Sequence, residues 1–249
     1  MASEDEGPEE SLVDNHRTSL LDIIEDNNRA VNKKSLLHRM VIISKLRNPD
    51  VDRSLVGSQY EAMLKNLQNV YQSEVISGLM LIYMKHVVHV VESSIDMLLE
   101  IVKDLNLGEE SDDNFISESK ILVISHNIAD RLFNQWSFRA LEIQVHRLEA
   151  YEPSETVDKL IVDLSTQLVK LGAYIRKQPK MSVKKVLDAL HERVPDLLPN
   201  QAVVHYLLEE EDPQMILPSE YLDVYQTPFD VHSDTDLVWP LPTRLFPYN

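Results

Sequence analysis

VISGLMLIY at residues 75–83 and VVHVVE at residues 87–92 are the two stretches that decide the predicted fold. Both are short apolar runs rich in valine, isoleucine and leucine, and the short break between them is typical of two hairpin strands. A helical pattern, SQYEAMLKNLQNVY, precedes the pair, and another, SIDMLLEIVKDL, follows it. A hairpin between two helices is the centre of the ferredoxin-like arrangement.

Three further strands are predicted outside this centre. Two of them are apolar, LLHRMVIIS at residues 36–44 and KILVISH at residues 120–126. The third, RALEIQVH at residues 139–146, alternates between apolar and polar residues and would have one solvent-exposed face. The full order is strand, helix, strand, strand, helix, strand, strand. The predicted fold class is therefore α+β, a ferredoxin-like βαββαββ sandwich with an extra edge strand.

Local signals predict where the two helices begin and which faces they bury. Ser58 with Glu61 predicts a capping box at the first helix, Ser93 with Asp96 a weaker one at the second, and Gly108 the helix end before an acidic loop. Each helix has an apolar stripe at helical spacing. The stripes are Tyr60, Leu64, Leu67 and Tyr71 in the first helix, and Ile95, Leu98, Val102 and Leu105 in the second.

Composition shifts predict four segments along the chain. Residues 1–35 form an acidic, largely disordered N-terminus with a short amphipathic helix, and residues 36–150 form the sandwich. Residues 151–211 form a helical extension. Residues 212–249 contain six of the 12 prolines, a density that disfavours helix interiors and central strands and predicts an extended aromatic tail.

Composition also limits the function classes. The chain has 249 residues, a net charge of −17 and no cysteine, so disulfides and thiolate chemistry are excluded. No apolar run reaches the length of a membrane span, and the acidic N-terminus does not resemble a signal peptide, so we expect a cytoplasmic protein without membrane contact.

The negative charge is concentrated in three stretches, residues 1–14, 108–118 and 209–249, which hold 20 of the 41 acidic residues and one of the 24 basic residues. Such runs are usually solvated and often disordered, and the alternative is docking on a basic partner. Phosphate recognition needs clustered lysine and arginine, so no nucleic-acid partner is expected.

Residues that suggest catalysis or metal binding have simpler interpretations. Ser125, His126 and Asp130 are close in sequence, but no nucleophile elbow or glycine loop accompanies them, and a strand end followed by a turn explains them. His86 and His89 are three residues apart on one strand and should face opposite sides of the sheet. No catalytic residue, no metal site and no enzyme activity are predicted.

The most informative motif is HNIADRLFNQWSF at residues 126–138, which follows a predicted strand. It resembles the segment of BLUF domains, blue-light sensors that use a flavin, from the fourth strand to a tryptophan before the fifth strand. Arg131, Phe133, Trp136 and Ser137 match the family pattern. Two other segments resemble the family in the right order, Ile76-Ser77-Gly78 on strand two and Val91-Glu92-Ser93 on strand three.

The positions that support photochemistry depart from this pattern. The family's strand-one tyrosine is Ile42 here, its helix asparagine is Tyr71, and its strand-three glutamine is His89. Isoleucine has no hydroxyl, and histidine loses its acceptor nitrogen on protonation. These departures imply a non-photoactive domain that binds no cofactor, with Tyr71 in the space between the helices where the flavin ring would lie.

The BLUF-like core, the helical extension and the aromatic tail together are similar to the animal testis-expressed BLUF-like family. This resemblance, which spans most of the chain, implies testis expression and a place in a ciliary or sperm-flagellar axoneme. It favours a non-catalytic adaptor or structural subunit with protein partners in a multi-subunit complex. The alternative is a degenerate sensor that still binds flavin or another planar ligand.

The aromatic residues receive separate interpretations. Trp136, Tyr60 and Tyr71 are predicted to be core residues, since burial of a large ring is strongly stabilising. The aromatics after residue 212 either pack back on the domain or bind a partner in extended form. The candidate partner-binding residues are Trp239, Phe246, Tyr248, Tyr225 and Phe229.

Overall fold

The computed structural model describes residues 18–30, 36–71, 75–111, 114–142, 151–178 and 183–228. Residues 37–249 form one compact unit and residues 1–36 another. The elements of the larger unit are β1 (His38–Leu46), α2 (Arg53–Tyr71), β2 (Ser77–Ile82), β3 (His86–Ser93), α3 (Ile95–Glu110), β4 (Ile116–Ser125), β5 (Trp136–Ala140), α4 (Val157–Arg176), α5 (Val183–Asp188), α6 (Leu190–Arg193), a 3-10 turn (Pro195–Leu197), α7 (Gln201–Glu209) and α8 (Pro218–Gln226).

The predicted α+β class and the βαββαββ order are confirmed. The five strands form one sheet in the order β4-β1-β3-β2-β5. Neighbouring strands are antiparallel, except that β2 and β5 run parallel. β5 lies at one edge of the sheet, as the predicted extra strand requires, and β4 lies at the other.

The helices α2 and α3 cover one face of the sheet, called here the α2/α3 face. Because side chains alternate along each strand, this face takes every second residue of the sheet. Its core includes Met40, Ile42, Met80, Val87 and Val91 from the strands, and Tyr60, Leu64, Leu98, Ile101 and Val102 from the helices.

The predicted helical extension covers the opposite face, called here the α4–α7 face. The other set of strand residues, including Val41, Leu79, Leu81 and Val90, packs there against one side of α4 and against α5, α6 and α7. Within this extension, α5 and α6 are short helices that follow one another closely. Asn200 caps α7 by accepting a hydrogen bond from the Ala202 N–H at 3.0 Å.

Several predicted helix ends are wrong. α2 begins at Arg53, and the Asp52 carboxylate accepts a hydrogen bond from the Ser54 N–H at 2.9 Å, so Asp52 rather than Ser58 provides the cap. Ser94, not Ser93, is the N-cap residue of α3. α3 continues past Gly108 to Glu110, because the helical Gly108 carbonyl is bonded by Arg47 at 3.1 Å.

The predicted fifth strand is displaced along the sequence. β5 consists of Trp136–Ala140 and is parallel to β2 in the register Gly78 with Trp136 through Ile82 with Ala140. Trp136 is therefore the first residue of β5, whereas the sequence pattern placed it before the fifth strand. The end of the predicted strand, residues 143–146, lies outside the described residues.

Lys45 shows that the acidic stretches are partly engaged with the protein itself. Its ammonium group forms ion pairs with Glu118 of β4 and with Glu209 at the end of α7. These two acids are therefore not simply solvated. The acidic residues 1–14 lie outside the described residues.

The extended tail predicted from residue 212 is wrong for its first part, because α8 is a helix. Pro218 occupies the first turn, where a missing N–H costs nothing, and Glu220 accepts a hydrogen bond from the Leu217 N–H at 3.0 Å. Ile216 pairs with Ile121 of β4 through two backbone hydrogen bonds of 2.8 and 3.2 Å. Tyr221 of α8 is buried in the core of the α2/α3 face.

The smaller unit contains the predicted amphipathic helix, α1 (Leu20–Ala30). Ser19 and Asp22 form a reciprocal cap, in which Asp22 accepts from the Ser19 N–H at 2.7 Å and Ser19 accepts from the Asp22 N–H at 3.1 Å. Leu20, Leu21 and Ile23 on this helix are exposed.

None of the described helices has the length and apolar composition needed to cross a membrane.

Candidate functional site

Glu92 of β3 is the centre of a charged cluster on the α4–α7 face. Its side chain is fully buried, and its carboxylate accepts hydrogen bonds from Arg39 Nε at 2.8 Å, Ser77 Oγ at 2.9 Å and the backbone N–H groups of Leu132 and Phe133 at 2.9 and 3.3 Å. A buried carboxylate needs such a set of donors, because an unpaired charge is costly in the interior.

Arg131 extends this cluster into the loop that carries the 126–138 motif. Its guanidinium donates to Ser77 Oγ at 3.0 Å and to the Glu92 carbonyl at 2.9 Å. Arg176 of α4 donates in turn to the Arg131 carbonyl at 2.9 Å. These bonds tie the loop before Trp136 to β2, β3 and α4. The structure brings Glu92, Ser77 and Arg131 together from three separate motifs.

A second, neutral cluster lies on the α2/α3 face. Trp136 Nε1 donates a hydrogen bond to His89 Nε2 at 2.9 Å. Since the indole only donates, His89 Nε2 accepts, and the neutral imidazole carries its proton on Nδ1. Burial lowers the pKa of His89 to about 3, so this histidine is neutral at physiological pH. Trp136 is a core contact of this face, as predicted.

Tyr60 completes the neutral cluster from α2. Its ring stands perpendicular to His89, with centroids 6.0 Å apart. Its hydroxyl is buried and has no hydrogen-bond partner among the described residues. Burial raises the pKa of Tyr60 far above the ordinary value, so the phenol remains protonated.

Gly78 explains how Trp136 reaches this position. A Cβ atom at residue 78 would lie 2.2 Å from the Val90 carbonyl oxygen and 3.2 Å from Trp136 Cδ1. Only glycine leaves room for both the β3 backbone and the indole. The glycine of the Ile76-Ser77-Gly78 segment, which resembles the BLUF pattern, therefore has a packing reason in this fold.

Of the three positions where the sequence departs from the BLUF pattern, two lie side by side in the sheet and the third lies apart from them. Ile42 and His89 are paired across β1 and β3 and are both buried on the α2/α3 face. Tyr71, however, is the last residue of α2 and is 41% exposed, so its predicted core position and its place between the helices are wrong. Tyr60, three turns earlier, occupies that place. Helical spacing alone could not separate the two tyrosines, because Tyr71 is four residues from Leu67 just as Tyr60 is four from Leu64.

The residues present do not fit a flavin ring in this position. The space between α2, α3 and the sheet is filled by apolar side chains in mutual contact, which include Ile42, Leu64, Met97 and Ile101. The acceptor nitrogen of His89 already binds Trp136. Cavities of about 410, 140 and 450 Å³ lie elsewhere, and none of these three is lined by residues of both α2 and α3.

The other histidines of the sheet lie beside further histidines. His126 lies with its Nδ1 3.0 Å from Nδ1 of His38. His86 and His89 face opposite sides of the sheet, as predicted: His86 lies 5.2 Å from the His205 ring, and burial lowers its pKa to about 4. Within the described ranges, no three histidine, aspartate or glutamate residues are placed to hold a metal.

The candidate partner-binding residues fall on both sides of the limit of the described chain. Tyr225 of α8 is 55% exposed, and its ring lies 4.5 Å from that of Tyr221. Trp239, Phe246, Tyr248 and Phe229 lie outside the described residues. The partner-binding role of all five stays a prediction.

Solved structures similar to this chain are BLUF proteins. The BLUF domain of BlrP1 is 15% identical over 63% of this chain and 90% of that chain, with a TM-score of 0.34. The dark-state BLUF protein BlrB is 20% identical over 66% and 98%, with a TM-score of 0.33. A bacterial light-regulated adenylyl cyclase is 17% identical over 61% of this chain and 40% of its own, with a TM-score of 0.34.

A family comparison agrees with the resemblance seen in the motifs. The profile described as testis-expressed protein 47 matches residues 36–227, which is well over half of the chain. The match includes β1 to β5, the helices of the α4–α7 face and α8. The chain belongs to the testis-expressed protein 47 family.

Proposed function

We propose that the chain is a non-catalytic adaptor or structural subunit of a larger protein assembly. One observation carries the proposal. The polar side chains that stand out in the sequence bond within two clusters, Arg131 and the loop backbone to Glu92 on one face of the sheet and Trp136 to His89 on the other. Their hydrogen-bonding capacity is used to hold the 126–135 loop and β5 on the sheet, which is the work of a scaffold.

Membership of a testis-expressed family supports a role in the testis. We extend this to a cytoplasmic place in the axoneme of a cilium or sperm flagellum, with protein partners and with neither nucleic acid nor membrane as a ligand. The net charge of −17 favours association with basic protein surfaces, since opposite charges speed and orient encounter.

The adaptor would use its C-terminal part to hold the partner. α8 is docked on the sandwich through Tyr221, while Val224 and Tyr225 on the same helix are 71% and 55% exposed. The chain beyond α8 adds Phe229, Trp239, Phe246 and Tyr248. Aromatic side chains of this kind dominate the energy of protein interfaces, so we assign the anchors to this region.

The test is co-purification from testis or sperm with quantitative mass spectrometry. The intact chain is compared with a chain that ends at residue 228, because a cut at residue 212 would remove Tyr221 from the core and confuse unfolding with lost binding. We expect the shorter chain to melt at the same temperature and lose most of its axonemal interactors. Equal recovery of the same interactors would contradict the tail's role, and an intact chain without stable interactors would contradict the adaptor function.

The second candidate is a sensor that retains a planar ligand, and the unpartnered Tyr60 hydroxyl is the observation in its favour. Purified protein with a flavin absorption band in the blue, or a melting temperature raised by added flavin, would support it. The adaptor proposal predicts colourless protein and no shift. A Tyr60→Phe variant is the control, since it removes the buried hydroxyl that faces His89.

A further inference from the structure

The open edge of β5 lies at the bottom of a groove of about 410 Å³. Residues 135–140 form its floor. Ser54, Ser58 and Glu61 of α2 form one wall, and Lys184, Leu187 and Asp188 of α5 form the other. All five residues of β5 are half-buried and line the groove, with α2 and α5 on either side of the strand.

The backbone of β5 presents unused hydrogen-bonding groups to this groove. The Gln135 carbonyl accepts from the Gly78 N–H at 3.4 Å, and the Leu141 N–H donates to the Ile82 carbonyl at 2.8 Å, so the odd-numbered residues face β2. Because direction alternates along a strand, the N–H and C=O groups of Trp136, Phe138 and Ala140 face the groove. No hydrogen bond joins them to another described residue.

The side chains around the edge form two separate compartments. On the α2 side, the half-buried rings of Trp136 and Phe138 lie 5.9 Å apart and form an aromatic surface. On the α5 side, the groove adjoins a second cavity of about 140 Å³, which shares Ser137 and Leu187 with it and is also lined by Leu132, Phe133 and Ile175. Successive side chains of one added strand would enter these compartments in turn.

We propose that this groove binds an extended segment of a partner protein, which adds to β5 as a sixth strand. The six outward backbone groups match only a chain in extended conformation, and the two compartments select apolar side chains on both faces of the added strand. A second copy of the sheet would have to bring its own α2 and α5 alongside these two helices, so the proposal commits to a single extended segment. Two acids, Glu61 and Asp188, and two bases, Arg139 and Lys184, line the groove, so the segment needs no net charge.

The inference rests on the proposed adaptor function, but it concerns a surface remote in sequence from α8 and the residues that follow it. It makes its own prediction: binding depends on a backbone N–H of β5 and not on residues 229–249. Loss of one mode of binding therefore leaves the other measurable.

The experiment uses two substitutions at one position. Ala140→Pro removes an N–H that faces the groove and leaves the β2 ladder intact, since proline is tolerated on an edge strand with its nitrogen outward. Ala140→Val keeps the N–H and is the matched control. Random twelve-residue peptides displayed on phage are selected on the intact chain, and a synthetic copy of the winning sequence is titrated against each variant by fluorescence polarisation.

We expect selected peptides with apolar residues at neighbouring positions and no proline among them. Ala140→Pro should raise the dissociation constant of the synthetic peptide at least about tenfold. Ala140→Val should keep this constant within about threefold of the parent value, at an unchanged melting temperature. Hydrogen exchange should slow at Phe138 and Ala140 when the peptide is bound, because their N–H groups become part of a ladder.

Four results would overturn the proposal. The first is a selection that yields no binder, and the second is a peptide that binds Ala140→Pro and Ala140→Val equally. The third is a concentration-dependent dimer that only Ala140→Pro abolishes. The fourth is protection of the Phe138 and Ala140 N–H groups from exchange in the free chain, if it disappears when residues 229–249 are removed. The last two would assign the edge to a second copy or to the chain's own C-terminus. None of them bears on the co-purification of testis proteins through the tail.

Discussion

The charged cluster on the α4–α7 face and the neutral cluster on the α2/α3 face lie on opposite sides of the same sheet and differ in how many hydrogen-bond donors they need. On the α4–α7 face, the Glu92 carboxylate is held by Arg39, Ser77 and the loop backbone. On the α2/α3 face, His89 and Trp136 share a single hydrogen bond between neutral rings. A buried charge requires several donors at once, whereas a neutral pair requires one, so the charged cluster should tolerate substitution far less.

The largest effect is expected from Glu92→Ala, which tests the charged cluster. Removal of the carboxylate leaves the guanidinium of Arg39 and two backbone N–H groups without their acceptor, and we expect a loss of about 3–5 kcal/mol in the free energy of unfolding. Urea denaturation followed by circular dichroism measures it. Glu61→Ala, which removes only an exposed pair with Lys65, is the control and should leave the midpoint nearly unchanged.

Trp136→Phe tests the neutral cluster and should destabilise the chain less than Glu92→Ala does. It leaves His89 Nε2 buried without a donor, and we expect a loss of about 1–3 kcal/mol in the same urea experiment. A cost equal to that of Glu92→Ala would break the comparison between the faces. NMR of the imidazole nitrogens should show the Nδ1-protonated tautomer in the parent chain.

The pH dependence of stability should contain one contribution from each face, His89 and His86. Their folded pKa values, about 3 and about 4, lie below the ordinary value of 6.5, so the unfolded chain binds more protons between those limits. The stabilisation is complete above pH 6.5 and is lost as the pH falls towards 4 for His86 and towards 3 for His89. We expect roughly 1 kcal/mol for each histidine between pH 7.5 and 5.5.

Thermal denaturation at a series of pH values separates these contributions. His89→Gln and His86→Gln should each remove about half of the slope. An unchanged slope in either variant would mean that the histidine is already exposed to solvent in the native state, and the two faces would then differ in accessibility as well as in charge.

The smallest effect is expected from Tyr60→Phe, which removes a buried hydroxyl without a described partner. Its desolvation cost disappears and the packing stays, so stability should change by less than about 1 kcal/mol, in the favourable direction. A clear loss of stability would show that the hydroxyl has a partner, such as a bound water or ligand, and would favour the sensor function.

The residues differ in how far their roles follow from sequence. Apolar runs, one alternating stretch and helical spacing predicted the order of the seven sandwich elements, although β5 lies earlier in the chain than predicted. The opposite directions of His86 and His89 followed from their separation by three on a strand. The start of α2 was missed because Asp52 caps it without the S-x-x-E pattern. α8 was missed because prolines were counted as helix breakers, although Pro218 occupies the first turn, where it is accepted.

The sequence alone determined the order of strands and helices, the family, and the loss of the strand-one hydroxyl at Ile42, because these depend on side-chain type and local spacing. Only the tertiary structure decided which polar residues meet. Glu92 and Arg131 are 39 positions apart, and Tyr60 rather than Tyr71 reaches His89. Such contacts depend on strand register and helix placement, which set distances between residues remote in the chain and leave no mark on local sequence pattern.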